Sequence, residues 1–198
     1  MGNSYRVNNN NDVSTDNALL IKSCIDVKGH RNEVIMMSNT LFRGGRIIIF
    51  GNNNRIVIEN NCYLDNLEIW IEDDGNTVII GDGTFVSGRT QLAAIEGTSI
   101  TIGNDCMFAS DIFVRTGDSH SILDMSGKRT NVSRDISIGE HVWVGQKVII
   151  LKGTCIAANS IIAAGALVSG EFEDPNTIIG GLPAKVIKKG IGWLRERI

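Results

Sequence analysis

Aliphatic residues recur through the second half of the chain at a constant step of six: Ile138, Val144, Ile150, Ile156, Ile162 and Val168. An amphipathic helix needs apolar positions three and four apart, and a half-buried strand needs alternation. A constant step of six suits neither. It suits a chain that turns a corner every six residues and regains the same face after eighteen, the signature of a hexapeptide-repeat parallel β-helix. Four residues after each aliphatic stands a second inward candidate: Val142, Val148, Thr154, Ser160, Ala166 and Phe172. Most of these are small, as a narrow triangular interior requires.

A looser form of the pattern extends upstream. Ile56-Val57-Ile58 is followed by Cys62, Val78-Ile79-Ile80 by Thr84, Ile100-Thr101-Ile102 by Cys106, and Ile136-Ser137-Ile138 by Val142. Ile58, Ile80 and Ile102 are 22 residues apart, which predicts 18-residue coils with extra residues at their corners. The 36 residues from Ile102 to Ile138 are either two plain coils or one coil with an excursion. The second is preferred, because the register breaks after Arg115. Three segments follow: a polar lead over 1–20, a β-helix over 21–180 with an excursion loop at 117–135, and a basic turn and short amphipathic helix over 181–198. Trp193, Leu194 and Ile198 are expected to pack back on the last coil.

Composition narrows the picture. The chain has 22 Gly and only 2 Pro, and Asn runs at Asn8–Asn11 and Asn52–Asn54 read as lead and corner residues that tolerate left-handed backbone. No apolar run is long enough for a membrane span and no signal-peptide pattern opens the chain, so no membrane anchor and a cytoplasmic location are expected. Cys62 and Cys106 fall at small inward positions and read as buried free thiols, poor nucleophiles in apolar surroundings. Net charge is −3, but residues 181–198 set five cations against Glu196 for a net +4, leaving −7 on the rest. A basic end on an acidic body argues against nucleic-acid binding and is compatible with a phosphorylated ligand near the C-terminal coils.

Three histidines are available for chemistry: His30, His120 and His141. His120 lies where a regular coil breaks into a loop, and loops on rigid scaffolds carry reactive groups. It reads either as a surface residue or as a general base for a hydroxyl, with Asp118 two positions away to orient it. His141 points outward by register. No two histidines have the spacing of a zinc site, so no metal is expected. Trp143, beside the inward Val142, faces out of the coil, where an indole suits a ligand or a neighbouring subunit.

The stretches Ile136-Ser137-Ile138-Gly139-Glu140-His141-Val142-Trp143-Val144-Gly145, Val148-Ile149-Ile150-Leu151-Lys152-Gly153 and Gly180-Gly181-Leu182-Pro183-Ala184-Lys185 together resemble the hexapeptide acyltransferase family. The stretch Gly103-Asn104-Asp105-Cys106-Met107 through Arg115, Asp118 and His120 is similar to bacterial capsular polysaccharide O-acetyltransferases, those acting on polysialic acid above all. The resemblance implies a left-handed parallel β-helix, an exception to the right-handed crossover rule. It implies a homotrimer with active sites between subunits, and acetyl-CoA as acetyl donor to a polysaccharide hydroxyl. By the same likeness His120 is the base, Asp118 its orienting partner and Trp143 a wall of the site. Gly145, Lys152, Ala164, Ser169 and Lys185, with Trp143, are expected along the donor. Arg115, Lys128 and Arg129 are expected to meet the acceptor. Another surface sugar, an amino-sugar nucleotide and a non-catalytic scaffold remain as alternatives.

Overall fold

In the computed structural model, which describes residues 2–15 and 17–198, the chain winds into an all-β parallel solenoid of about seven turns. Three flat faces make up each coil. Face I stacks eight strands, from Asp12–Ser14 and Glu33–Met36 through Arg55–Ile58, Thr77–Ile80, Ser99–Ile102 and Ile136–Ile138 to Cys155–Ile156 and Glu171–Phe172. Face II runs from Leu19–Ile21 and Leu41–Arg43 through Met107–Phe108, Trp143–Val144 and Ile161–Ile162 to Thr177–Gly181. Face III runs from Ser4–Val7, Cys24–Lys28 and Arg46–Phe50 to Ile112–Arg115, Ile149–Ile150 and Leu167–Val168. The strands Tyr63–Glu72 and Phe85–Ile95 bend round the corner and serve both II and III.

The six-residue ladder is the core. Ile138, Val144, Ile150, Ile156, Ile162 and Val168 are all buried, one per face over two coils. The small second positions Val142, Val148, Thr154, Ser160 and Ala166 are buried beside them. Phe172 departs from the expected pattern. It sits opposite Ile156 on face I, in the large aliphatic position, because the last coil is two residues short. Ile100 pairs directly with Ile136, so residues 103–135 form one coil plus an excursion.

Two upstream expectations change. The four extra residues of the 22-residue coils do not collect at corners; most of them lengthen face III. There Ile71 points inward beyond Leu67 and Ile69, whose columns continue in the later coils as Val148 and Ile150. The wide cross-section also begins earlier than the repeat suggested: Val34 stacks on Ile56 and Ile47 on Ile69, and residues 4–21 already contribute strands to all three faces. At the corner before face I, Asn32, Asn54 and Asn76 are buried and stacked. The Oδ1 of Asn32 and that of Asn54 each accept both the backbone N–H and the amide of the next Asn, at 2.7–3.0 Å, and the Asn76 Oδ1 accepts the Thr98 N–H at 3.1 Å. Asn54, read from the sequence as a flexible corner residue, is therefore an internal rung. Asn53 and Asn61 do take left-handed backbone, at φ 57° and 59°.

The C-terminal helix does not form; no helix occurs among the described residues. The hairpin of Thr177–Gly181 with Ala184–Lys189 closes the end of the solenoid. Beyond it, residues 191–198 run extended, back along the corner between faces I and II. Ile191 bonds Asn176, Trp193 bonds His141, and Arg195 reaches Asp105 and Gly83. Successive coils are about 4.8 Å apart, and an extended chain advances about 3.3 Å per residue against 1.5 Å for a helix, so only the extended form covers this span. Gly190 and Gly192 also disfavour helix nucleation. Trp193 is buried as expected but against His141, whereas Leu194 and Ile198 are exposed rather than packed on the last coil.

Candidate active site

The excursion leaves the solenoid at the corner between faces III and I. Thr116 is still an inward, buried residue, its hydroxyl bonded to that of Thr98 at 2.6 Å. Gly117 makes the exit: a Cβ here would lie 2.2 Å from Ser133 Oγ and 2.5 Å from Ile95 Cδ1. Ser119 turns the chain through a left-handed conformation, φ 61°, and His120 follows, exposed. The two arms of the loop meet in an antiparallel bridge at Leu123 and Arg129.

Three side chains rivet the loop to the coil. Arg129 forks onto Glu96, with Nη1 to Oε1 at 2.5 Å and Nη2 to Oε2 at 3.0 Å. Ser133 Oγ donates to the same carboxylate at 2.6 Å. Arg129 and then Ser133 hold Glu96 down at a pKa of about 2. Lys152, from the next coil, pairs with Asp118 and also reaches the Asn131 carbonyl at 3.2 Å. Lys152 first, then Asn131, keeps Asp118 below the usual carboxylate range. Asp118 therefore spends its carboxylate on Lys152 and Asn131, not on the His120 ring. Arg129, expected at the acceptor, is committed to Glu96. Arg115 and Lys128 are exposed and carry no ion pair among the described residues.

The remaining candidates divide between two corners. Asp118, Lys152 and Ser169 line one cleft at the corner of faces III and I. Trp143 stands on face II between Met107 and Ile161, 37% exposed. Gly145 and Ala164 stack at the corner of faces II and III, where a Cβ on Gly145 would lie 2.7 Å from the Ala164 nitrogen. Lys185 is exposed on the closing hairpin, opposite Gly180. Within one copy of the chain, face III lies between the His120 corner and the Trp143–Gly145–Ala164 corner.

His141, expected as a plain surface residue, is instead held on three sides. Its Nδ1 is 2.7 Å from Asp105 Oδ2, its Nε2 is 3.2 Å from the Trp193 carbonyl, and its ring stacks on Trp193 at 4.0 Å. Trp193 returns an indole N–H bond to the His141 carbonyl at 2.9 Å and sits 6.1 Å from the Trp143 ring. Asp105, Glu96 and Asn131 escaped the sequence reading, as did the contact of Trp193 with His141. Their partners lie 33 to 52 residues away for the Glu96 and Trp193 contacts, so no local motif marks them. Burial raises the Cys62 thiol to about 11 and the Cys106 thiol to about 12, as their inward positions implied.

No family model matches the chain. Among curated proteins, the polysialic acid O-acetyltransferase of Escherichia coli O1:K1 / APEC is 39% identical over 98 residues, 49% of this chain and 32% of that protein. The chain spans from about a third to about half the length of the first curated relatives it matches. Solved structures align far more completely. The polysialic acid O-acetyltransferase OatWY superposes with a TM-score of 0.92 at 31% identity, over 100% of this chain and 93% of its own. The polysialic-acid-specific acetyltransferase NeuO gives 0.88 at 31% identity, over 98% and 83%.

Proposed function

This chain belongs to the hexapeptide-repeat acetyltransferase family, and we propose that it moves an acetyl group from acetyl-CoA to a hydroxyl of a bacterial capsular polysaccharide, polysialic acid. The observation that carries the reading is His120: an exposed imidazole with no hydrogen-bond partner among the described residues, presented by a riveted loop. It is set in a fold that follows OatWY from end to end.

In this reading His120 takes the proton of the acceptor hydroxyl as that oxygen attacks the thioester carbonyl. The new C–O bond forms, the C–S bond breaks, and the thiolate of CoA leaves. General-base assistance of this kind contributes about 10²- to 10⁴-fold. Transfer is direct: with their thiols at about 11 and about 12, Cys62 and Cys106 are protonated and buried, and neither serves as an acyl carrier. Trp143 flanks the acetyl end of the donor. Gly145 and Ala164 expose backbone to the pantetheine arm, and Lys185 faces the phosphates. Arg115 and Lys128 supply positive charge for carboxylates of the acceptor; Arg129 acts through the loop rather than through substrate.

Because the two groups of site residues flank face III, a complete site needs two copies of the chain. A homotrimer that turns face III toward its axis brings the His120 corner of one copy to the Trp143 corner of the next. Phe113 and Ile149 on face III, with Ile122, Leu123 and Met125 on the loop, are exposed apolar side chains that such an assembly would cover. Among the described residues no helix is long and apolar enough to cross a membrane.

The test is thiol release from acetyl-CoA with oligosialic acid, neutral capsular sugars and amino-sugar nucleotides as acceptors, for the wild type and His120→Ala. Turnover on oligosialic acid that drops at least 100-fold in the variant, with assembly size unchanged, supports the reading. Unchanged turnover in His120→Ala removes the base. Turnover on another acceptor alone removes polysialic acid.

A further inference from the structure

Among the described residues the His120 ring has no side-chain partner to fix it, so its aim depends on its backbone. That backbone is held from across the loop by a single side chain, Asn131, which is only 8% exposed. The Asn131 amide donates to the His120 carbonyl at 2.7 Å and to Asp118 Oδ2 at 2.8 Å. Its Oδ1 accepts the Ile122 N–H at 2.7 Å and Arg129 Nε at 3.3 Å. Asn131 thus grips the chain on both sides of Ser121 and ties the His120 arm to the return arm of the loop. It also touches both rivets: Asp118, which Lys152 holds to the next coil, and Arg129, which Glu96 holds to the previous one.

An amide is the side chain that this position needs. It must donate twice, to a carbonyl and to a carboxylate, and accept from a backbone N–H. Asn offers both functions on one short stem, whereas Asp lacks the donors and Ser cannot span the groups. The site is nearly closed to solvent, so water does not readily replace these bonds, and the ring two bonds from the held backbone inherits the restraint.

We propose that Asn131 is a positioning residue for His120, setting the aim of the imidazole through the His120 carbonyl and the Ile122 N–H. The proposal rests on the reading of His120 as the base. A misplacement of about 1 Å in a reacting group costs on the order of 10²-fold. Loss of Asn131 is therefore expected to lower kcat by about 10- to 100-fold with KM for acetyl-CoA unchanged.

The experiment uses the full chain as the wild type, Asn131→Ala, Asn131→Asp, His120→Ala and the double variants with His120→Ala. Acetylated oligosialic acid is quantified by mass spectrometry over long incubations. Asn131→Asp keeps the size of the side chain and an acceptor for Ile122, so it reports on the lost donors even if the alanine variant folds poorly. The expected result is a 10- to 100-fold fall in kcat for both single variants, with KM for acetyl-CoA within about twofold. No further fall is expected in the His120→Ala background, because a residue that acts only through His120 has nothing left to position. A kcat within twofold of the wild type overturns the proposal, and so does an equal fall in both backgrounds, which marks a merely structural role. Full activity in His120→Ala alone is a different outcome: it defeats the base assignment itself.

Discussion

The buried asparagine ladder lets the stability of the wide coils be perturbed without touching the excursion loop. Asn54→Ala removes one rung. Lost with it are the amide bonds to Asn32 Oδ1 and to the Asp73 carbonyl, both 3.0 Å. The acceptor for the backbone N–H of Asn76 at 2.7 Å disappears too. The Asn76 amide keeps the Glu72 carbonyl at 2.7 Å and suffers less. Stranding one buried N–H costs about 1–3 kcal/mol, and each lost bond about 0.5–1.5 kcal/mol net. Together these come to about 3 kcal/mol. For a chain of this size that corresponds to a fall in Tm of about 6–12 °C. Because coils contact only their neighbours, the wide coils should melt first, splitting one transition into two. Circular dichroism melts at fixed protein concentration, paired with acetyl transfer measured at 20 °C, test this. Transfer should stay within twofold of the wild type. A single unshifted melting transition would refute the ladder argument, since it would mean that the rungs are no better than water as partners.

Other outcomes follow from the loop and the thiols. Glu96 titrates near 2 in the folded protein against about 4.5 in the unfolded chain, so its hold on Arg129 and Ser133 is present in full above pH 4.5 and is lost as pH falls toward 2. Protease nicking within 117–135 should therefore rise as pH falls from about 4.5 toward 2, and Glu96→Gln should show the raised nicking already at pH 7. Iodoacetamide at pH 8 should leave Cys62 and Cys106 unmodified in the folded protein, read by peptide mass spectrometry, because burial holds both thiols protonated. Gly117→Ala drives a methyl into Ser133 and Ile95 and should cost about 1–3 kcal/mol of loop anchoring, seen as lower kcat with the solenoid's melting little changed. Trp193→Ala empties the stack on His141 and should loosen residues 191–198 in hydrogen exchange, with a rise in KM for acetyl-CoA if Trp143 lines the donor site.

What the sequence disclosed and what it hid follow one physical division. A solenoid interior is set by steps of fixed length, so Ile138 to Val168 could be read directly, and so could the excursion, which is where the step fails. Outward side chains obey no such period, and their partners are set by stacking. Asp118 looked like the partner of His120 because it is two residues away, but stacking brings Lys152, 34 residues on, to its carboxylate. Asn54 looked like one of a run of flexible asparagines; only coil-on-coil stacking at a 22-residue interval shows it as a rung. The C-terminal tail failed for a related reason. Its apolar spacing suited a helix, yet Trp193 and Arg195 find partners on coils far back along the corner, and reaching them requires an extended chain. The contacts that hold the loop and the tail are thus written at the corners, between coils, while the periodic sequence describes the faces. His120 was singled out because it stands where a corner opens and because its stretch resembles the family's. Asn131, which holds it, became legible only when the return arm of the loop was seen to lie beside it.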